Sequence, residues 1–316
     1  SKLGKVLYTA APLLMTGLSV GFAFKTGLFN IGASGQYTVG AFFALTVGIQ
    51  FQLPWYVAIL AGMIGGALWG AIPGIFKAYF NVNEVISAIM FNWIGLFAVN
   101  LAINNMPIML ANAWGQVARD RTARLADANP AAALPKLGLD SVFGNYMNIG
   151  IFIAVIFAII AWVILSKTTF GYELKAVGLN KSAARYAGIN EKRTIALSMV
   201  IAGTLAGCAG ALMYLAHASG LHMRVEEILS PEGFNGIPVA LLGLSNPIGV
   251  VFAGLFIAHI EQGGFYLQRL EYMPEVIDII IAAIIYFSAF SLLFKRLLSK
   301  WLLARQSRRE EGGEPK

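Results

Sequence analysis

Stretches of about twenty residues with few or no charges recur along the chain, and they limit the folds open to it more than any other feature. A bilayer core about 30 Å thick is crossed by about 20 apolar residues of helix. Such stretches run from Val6 to Phe24, Tyr37 to Leu53, Trp55 to Phe76, Val85 to Asn104, Met147 to Leu165 and Thr194 to Ala216. Pro247 to Ile260 continues toward Gln268 past Glu261, and Val276 to Phe294 contains Asp278. With a shorter apolar piece from Phe234 to Ser245, this predicts about eight full spans and one short or re-entrant segment. Backbone in hydrocarbon must satisfy its own hydrogen bonds, which leaves helices or a closed barrel. Barrel strands would alternate over about ten residues, whereas these runs are long and continuously apolar. The expected fold is an all-α polytopic membrane protein. Composition agrees: 58% of the 316 residues are hydrophobic and 12% charged, against about 45–50% and about 25% in soluble domains. The single cysteine, Cys208, rules out an internal disulfide.

The cations sort themselves along this map. The interval 166–193 holds Lys167, Lys175, Lys181, Arg185, Lys192 and Arg193 against Glu173 and Glu191. The tail from Lys295 holds seven basic residues against three acidic ones, so the two segments contain 13 of the 23 Lys and Arg. Residues 217–233 have one Arg and three Glu. By the positive-inside rule the first two are cytoplasmic and the third external. The +7 net charge is then a marker of sidedness and needs no nucleic-acid partner. Residues 105–146, nearly balanced in charge, read as an external loop. The transmembrane domain is expected over residues 1–298 and a basic, disordered cytoplasmic tail over 299–316. Counting back from 166–193 places the amino terminus outside, where Lys2 and Lys5 sit poorly. Either a preceding helix is missing or a re-entrant segment lies near Lys25. The first apolar run lacks a small-residue cleavage site and is long enough to span, so no cleavable signal peptide is read there.

Gly62, Gly66, Gly70 and Gly74 recur every four residues, and Gly17 with Gly21 and Gly203 with Gly207 repeat the spacing. On a helix this puts small residues on one face, where another backbone can approach closely. The rows predict tight helix packing and say nothing of a substrate.

Four segments carry chemistry. In GLFNIGASGQ, Gly27–Gln36, three glycines, two amides and a serine disfavour a regular lipid-facing helix. Such a break either is a cytoplasmic turn beside Lys25 or lines a cavity, as broken helices do in transporters. Phe29, Asn30, Gly32 and Gln36 are its candidate site residues. In NVNEVISAIMFNW, 81–93, Asn83, Glu84, Ser87 and Asn92 enter an otherwise apolar span, with Trp93 following. Glu84 is either an intramembrane functional carboxylate or a cap at a helix N-terminus. Glu261 and Gln262, after His259, and Asp278, four residues beyond Pro274, need internal partners or a wet cavity. Finally, Phe170–Arg193 is a cytoplasmic loop in which Lys181–Tyr186 predicts a short helix stopped by Gly188. Ala183 and Ala184 would give it a small flat face, and Lys181 and Arg185 its charge. It suits docking on a protein partner or lying on anionic lipid.

The chain has no phosphate-cradling G-x4-G-K-[ST] motif, since Gly178–Ser182 reads GLNKS. It has no Cys/His ligand cluster and no specific Ser–His–Asp set. Neither covalent catalysis nor ATP hydrolysis is expected from this chain itself, nor a cofactor or metal.

At these same segments the chain resembles the permeases of ABC importers, in the family spanning branched-chain amino acid, simple-sugar and nucleoside systems. The resemblance covers most of the chain. It rests on GLFNIGASGQ at 27–36, VNEVISAIMFNW at 82–93, ELKAVGLNKSAARYAGI at 173–189 and FNGIPVALLGLSNPIG at 234–249. The third is similar to the family's coupling loop, whose usual E-A-A stands here as Ser182-Ala183-Ala184. That departure removes the acidic position and leaves the small face and Gly188. Among the branches, the chain looks most like the nucleoside or related simple-sugar permeases. The resemblance implies a bacterial inner-membrane importer with a second, different permease, a cytoplasmic ATPase holding ATP and Mg, and an external binding lipoprotein. It also implies a helix before the first span read here. On this reading Phe29, Asn30, Gly32, Gln36, Asn83, Glu84, Asn92 and Trp93 line the substrate path. Glu173, Lys181, Ala183, Ala184, Arg185 and Gly188 couple it to the ATPase. The rivals are an ion-coupled transporter using Glu84, Glu261 and Asp278, and a scaffold whose polar residues only cement helices.

Overall fold

The computed structural model describes residues 2–110, 120–216, 221–267, 273, 275–277, 279–284, 286–287 and 290. Asp278, His217 and the tail at 299–316 lie outside the described residues. Among the described residues the regular structure is helical, with one isolated antiparallel bridge between Arg121 and Arg224.

The elements are α1 (Lys2–Lys25), α2 (Ala33–Leu45, continuing as a π-helix Thr46–Gln50), α3 (Trp55–Phe80) and α4 (Glu84–Asn104). Single turns α5 (Pro107–Leu110), α6 (Leu125–Ala128) and α7 (Asp140–Phe143) follow. Then come α8 (Gly150–Lys167), α9 (Thr169–Leu179), α10 (Lys181–Tyr186), α11 (Glu191–Tyr214), α12 (Pro231–Leu242) and α13 (Pro247–Leu267). Six of these, α1, α3, α4, α8, α11 and α13, are long and apolar enough to cross a membrane, against the eight full spans expected from sequence. The second expected span is the α2 helix, 13 residues long, with five more as the π turn. There Thr46 Oγ1 donates to the Phe42 carbonyl at 2.8 Å, and Asn129 Nδ2, from outside the helix, donates to the Gly48 carbonyl at 2.9 Å. The last expected span, residues 276–294, is described in part, and its described residues are helical.

The chain divides into two compact units, residues 1–262 and 263–316. In the second, Gly264 lies against Ile277, and the Tyr286 and Phe290 rings approach to 4.7 Å.

In the first unit the glycine rows act as the sequence predicts. A Cβ added to Gly66 would stand 2.2 Å from the Gly203 carbonyl, and one on Gly207 2.3 Å from the Gly62 carbonyl. Gly70 and Gly74 continue the row against Met199, so α3 and α11 run antiparallel with their backbones in contact. Gly40 of α2 meets Gly207 from the other side, at 2.3 Å for its added Cβ. Three helices therefore converge where none carries a side chain.

The same contacts fix the direction of each helix. Gly4 of α1 abuts the Phe143 carbonyl, while Gly27, just past its other end, abuts Gly178. So α1 runs from the face that carries α7 to the face that carries α9 and α10. The N-terminal half of α12 packs on the middle of α1 (Gly236 against Thr16), and Ser245 beyond it lies by Gly21. Its 12 residues span about 18 Å, roughly half a bilayer core. Leu244 and Ser245, both with positive φ (54° and 52°), make the tight turn. α13 then returns along α1, with Val250 by Gly17 and Gly254 by Leu14. α12 and α13 thus form a hairpin whose first arm begins midway along α1.

Candidate functional site

The interrupted segment between α1 and α2 is held by side-chain amides. Asn30 and Gln36, 0% and 1% exposed, pair reciprocally: Asn30 Nδ2 donates to Gln36 Oε1 at 2.8 Å and Gln36 Nε2 to Asn30 Oδ1 at 3.0 Å. Asn30 also donates to Ser19 Oγ at 3.0 Å, and that hydroxyl donates to the Ala202 carbonyl at 2.6 Å. Asn92, from α4, donates to the Ile31 carbonyl at 3.0 Å and accepts from the Gly35 N–H at 2.8 Å. The hydroxyls of Thr26 and Ser198 bond to each other. Backbone freed by the break is thereby satisfied inside the protein, the condition under which hydrocarbon tolerates one. Gly32 is buried where an added Cβ would press on Gln36 and Ala88, and Phe29 stacks on Phe24 at 5.1 Å.

The other expected path residues lie elsewhere. Asn83 caps α4, accepting from the Val85 N–H at 2.9 Å. Glu84, in the first turn, pairs with Lys77 at the end of α3 at 2.8 Å, which is the helix-terminus placement. Trp93 is exposed and stacks on Phe97 at 6.0 Å. Glu261 is half-buried in α13.

A cavity of about 310 Å³ opens in another place. It is walled by Tyr37 and Thr38 of α2, Leu96 of α4 and Tyr214 of α11, and by the run from Leu221 into the first turn of α12. None of the eight expected path residues lines it. That run enters as extended chain: Met223 and Val225 bond to Thr122 and Asp120, and Asn100 Nδ2 takes the Glu226 carbonyl at 2.8 Å. Ser34 Oγ then takes the Ser230 carbonyl at 2.8 Å, delivering Pro231 and Glu232 to the start of α12. Arg224, Glu226, Ser230 and Glu232 give the cavity its polar side, and Tyr37 and Tyr214, 6.4 Å apart and tilted by 56°, an aromatic one. A cleft of this size at the start of a half-length helix has the form of a small-solute site. Sequence reading missed it. Its one legible signal was three glutamates around Pro231, two before it and one after, a pattern that by itself speaks only for sidedness.

At the opposite face, α9 and α10 form an elbow between α8 and α11. Asn180 caps α10 by accepting from the Ala183 N–H at 3.0 Å, and Gly188 (φ 83°) ends it in a conformation that favours glycine. Ala183, Lys181 and Arg185 are exposed, and Glu173 is half-buried. Ala184, at 4% exposure, packs into a cluster with Ala23, Leu28, Val177, Ile195 and Met199. The two alanines therefore do not share an outward face, because consecutive helix residues point about 100° apart. Leu179 and Tyr186, at 88% and 95% exposure, provide the outward apolar surface.

Residues 3–289 match the family described as the permease component of the branched-chain amino acid transport system. The chain belongs to this permease family. It is 37% identical over 303 residues to the guanosine ABC transporter permease protein NupP of Bacillus subtilis, covering 94% of this chain and 83% of that one. It is also 37% identical over 310 residues to the nucleoside ABC transporter permease protein NupB of Lactococcus lactis, covering 94% and 82%. The glucose ABC transporter permease protein TsgB13 of Haloferax volcanii is 32% identical over 303 residues, covering 93% and 77%. No solved structure matches the chain. Membership in a permease family makes this a transport subunit.

Proposed function

We propose that the chain forms the translocation path for nucleosides in an ATP-driven importer of the bacterial inner membrane. Its partners are a second, homologous permease, a cytoplasmic ATPase that binds ATP and Mg, and an external binding lipoprotein. The observation that carries this reading is the aromatic and polar cavity beside the half-length α12, in a chain whose relatives at 37% identity are named for guanosine and nucleosides. The α9–α10 face, with its six cations between 167 and 193, is cytoplasmic, and the cavity opens toward the other side. The lipoprotein delivers solute there.

Asn30, Gln36 and Asn92 frame the path by holding the break between α1 and α2, with Phe29 and Gly32 packed into it. Asn83, Glu84 and Trp93 belong to the α4 wall. Glu173, Lys181, Ala183, Arg185 and Gly188, with Leu179 and Tyr186, present the elbow to the ATPase, while Ala184 anchors it to the bundle. Closure of the ATPase then moves α9 and α10 against α1 and α11. Transport is coupled only if the solute binds the two arrangements differently.

An ion-coupled mechanism would need Glu84 available to a coupling ion, and its 2.8 Å pair with Lys77 speaks against that. The test is ATP hydrolysis by the purified complex. Guanosine together with the lipoprotein should accelerate it, and acceleration by glucose or leucine but not by guanosine would reassign the substrate.

A further inference from the structure

The cavity holds two carboxylates that a simple passage for a neutral solute does not need. We propose that Glu232 and Glu226 make it selective, accepting hydrogen bonds from the ribose hydroxyls and excluding phosphorylated nucleosides, while Tyr214 and Tyr37 wall the base. This rests on the nucleoside reading above and assigns residues to it.

The chemistry follows from what each group can do. An ionised carboxylate only accepts hydrogen bonds, and bonds to it are shorter and stronger than those between neutral groups. A vicinal diol offers two O–H donors at the spacing of one carboxylate. Glu232 is fixed in position to meet them, since its Oε2 accepts from Ser230 Oγ at 2.5 Å in the first turn of α12. Glu226 stands on chain anchored by Asn100 at 2.8 Å. The partly exposed Tyr214 ring offers an apolar surface to a nucleobase, with the buried Tyr37 ring 6.4 Å behind it and tilted by 56°.

The same charges act against a phosphate. Arg224 and His222 also line the cavity, and His222 Nδ1 is bonded to the Thr122 carbonyl at 2.7 Å. The lining carries two carboxylates, Glu226 and Glu232, against one guanidinium, Arg224. A phosphate adds about −1.5 to −2 more and meets like charge in a partly desolvated space. A neutral nucleoside meets none.

The test uses the full complex in proteoliposomes with one lipoprotein throughout, so that any change in selectivity belongs to the permease. Uptake of guanosine, 2′,3′-dideoxyguanosine and guanosine 5′-monophosphate is measured for wild type, Glu232→Gln, Glu226→Gln and the double variant. Wild type should favour guanosine over the dideoxy analogue by about tenfold or more in kcat/KM. Either variant should shrink that ratio mainly through the KM for guanosine, and the double variant should let the monophosphate compete. Both ratios unchanged in both single variants, with guanosine uptake intact, would overturn the proposal. If wild type takes up no nucleoside at all, the nucleoside reading fails and this inference with it. If Glu232→Gln does not reach the membrane, the ratio in Glu226→Gln decides.

Discussion

Asn92 bonds with its one amide to two backbone groups of a neighbouring segment, the Ile31 carbonyl and the Gly35 N–H. Removing it leaves the buried Gly35 N–H unpaired, at about 1–3 kcal/mol, and the part-buried Ile31 carbonyl unpaired at less. Asn92→Ala is therefore expected to lower the melting temperature of the detergent-solubilised complex clearly, and an unchanged melt would show that the break is held by other means. Glu84 makes the opposite prediction. Its ion pair with Lys77 is only partly shielded, with side chains 14% and 25% exposed, so its contribution is about 1 kcal/mol or less. Glu84→Gln should keep ATP-driven uptake near wild type. Loss of uptake in folded protein would restore Glu84 as a coupling carboxylate. At this scale the sequence marked Asn30, Gln36 and Asn92 correctly as polar groups in an apolar setting. It could not show that they bond to one another and to backbone, since that depends on which helices meet. Tyr37 gave no signal and Glu232 only one of sidedness, because a tyrosine in a span and a glutamate near a helix start are ordinary until a cavity joins them.

The elements were more legible, because their causes are local. Four-residue glycine spacing marked the α3–α11 contact, and the short Phe234–Ser245 run marked the half-length α12. The π turn at Thr46–Gln50 was not readable, since it depends on Asn129, far along the chain. At Gly207 an added Cβ would stand 2.3 Å from one backbone and 2.8 Å from the Gly66 Cα. Neither can yield without moving a helix. Gly207→Val should cost more than the usual 1–3 kcal/mol of overpacking, seen as loss of folded protein from the membrane. Normal yield and melt would mean that α2, α3 and α11 separate more easily than their contacts imply. The α9–α10 elbow predicts a different phenotype. Arg185→Glu combined with Tyr186→Ala alters exposed side chains only, so the membrane bundle should melt as wild type while the ATPase no longer co-purifies. Retention of the ATPase would move the docking surface off α10.

For the whole molecule, charge is unevenly placed, with six cations between 167 and 193 and two glutamates, Glu226 and Glu232, on the cavity. On the proposed reading the basic elbow meets the ATPase and the acid-lined cavity meets the solute, as alternating access requires of a subunit driven from one side and loaded from the other. The membrane class followed from apolar run length, and family membership from motifs that keep their order. The cavity required the fold, because its walls come from α2, α4, α11 and the approach to α12. The most direct test of the account is uptake of labelled guanosine, ribose, glucose and leucine by the reconstituted complex, with and without ATP and with ion gradients collapsed. The account predicts guanosine uptake that needs ATP and the ATPase and survives loss of the gradients. Uptake that persists without the ATPase and collapses with a proton or sodium gradient would contradict it.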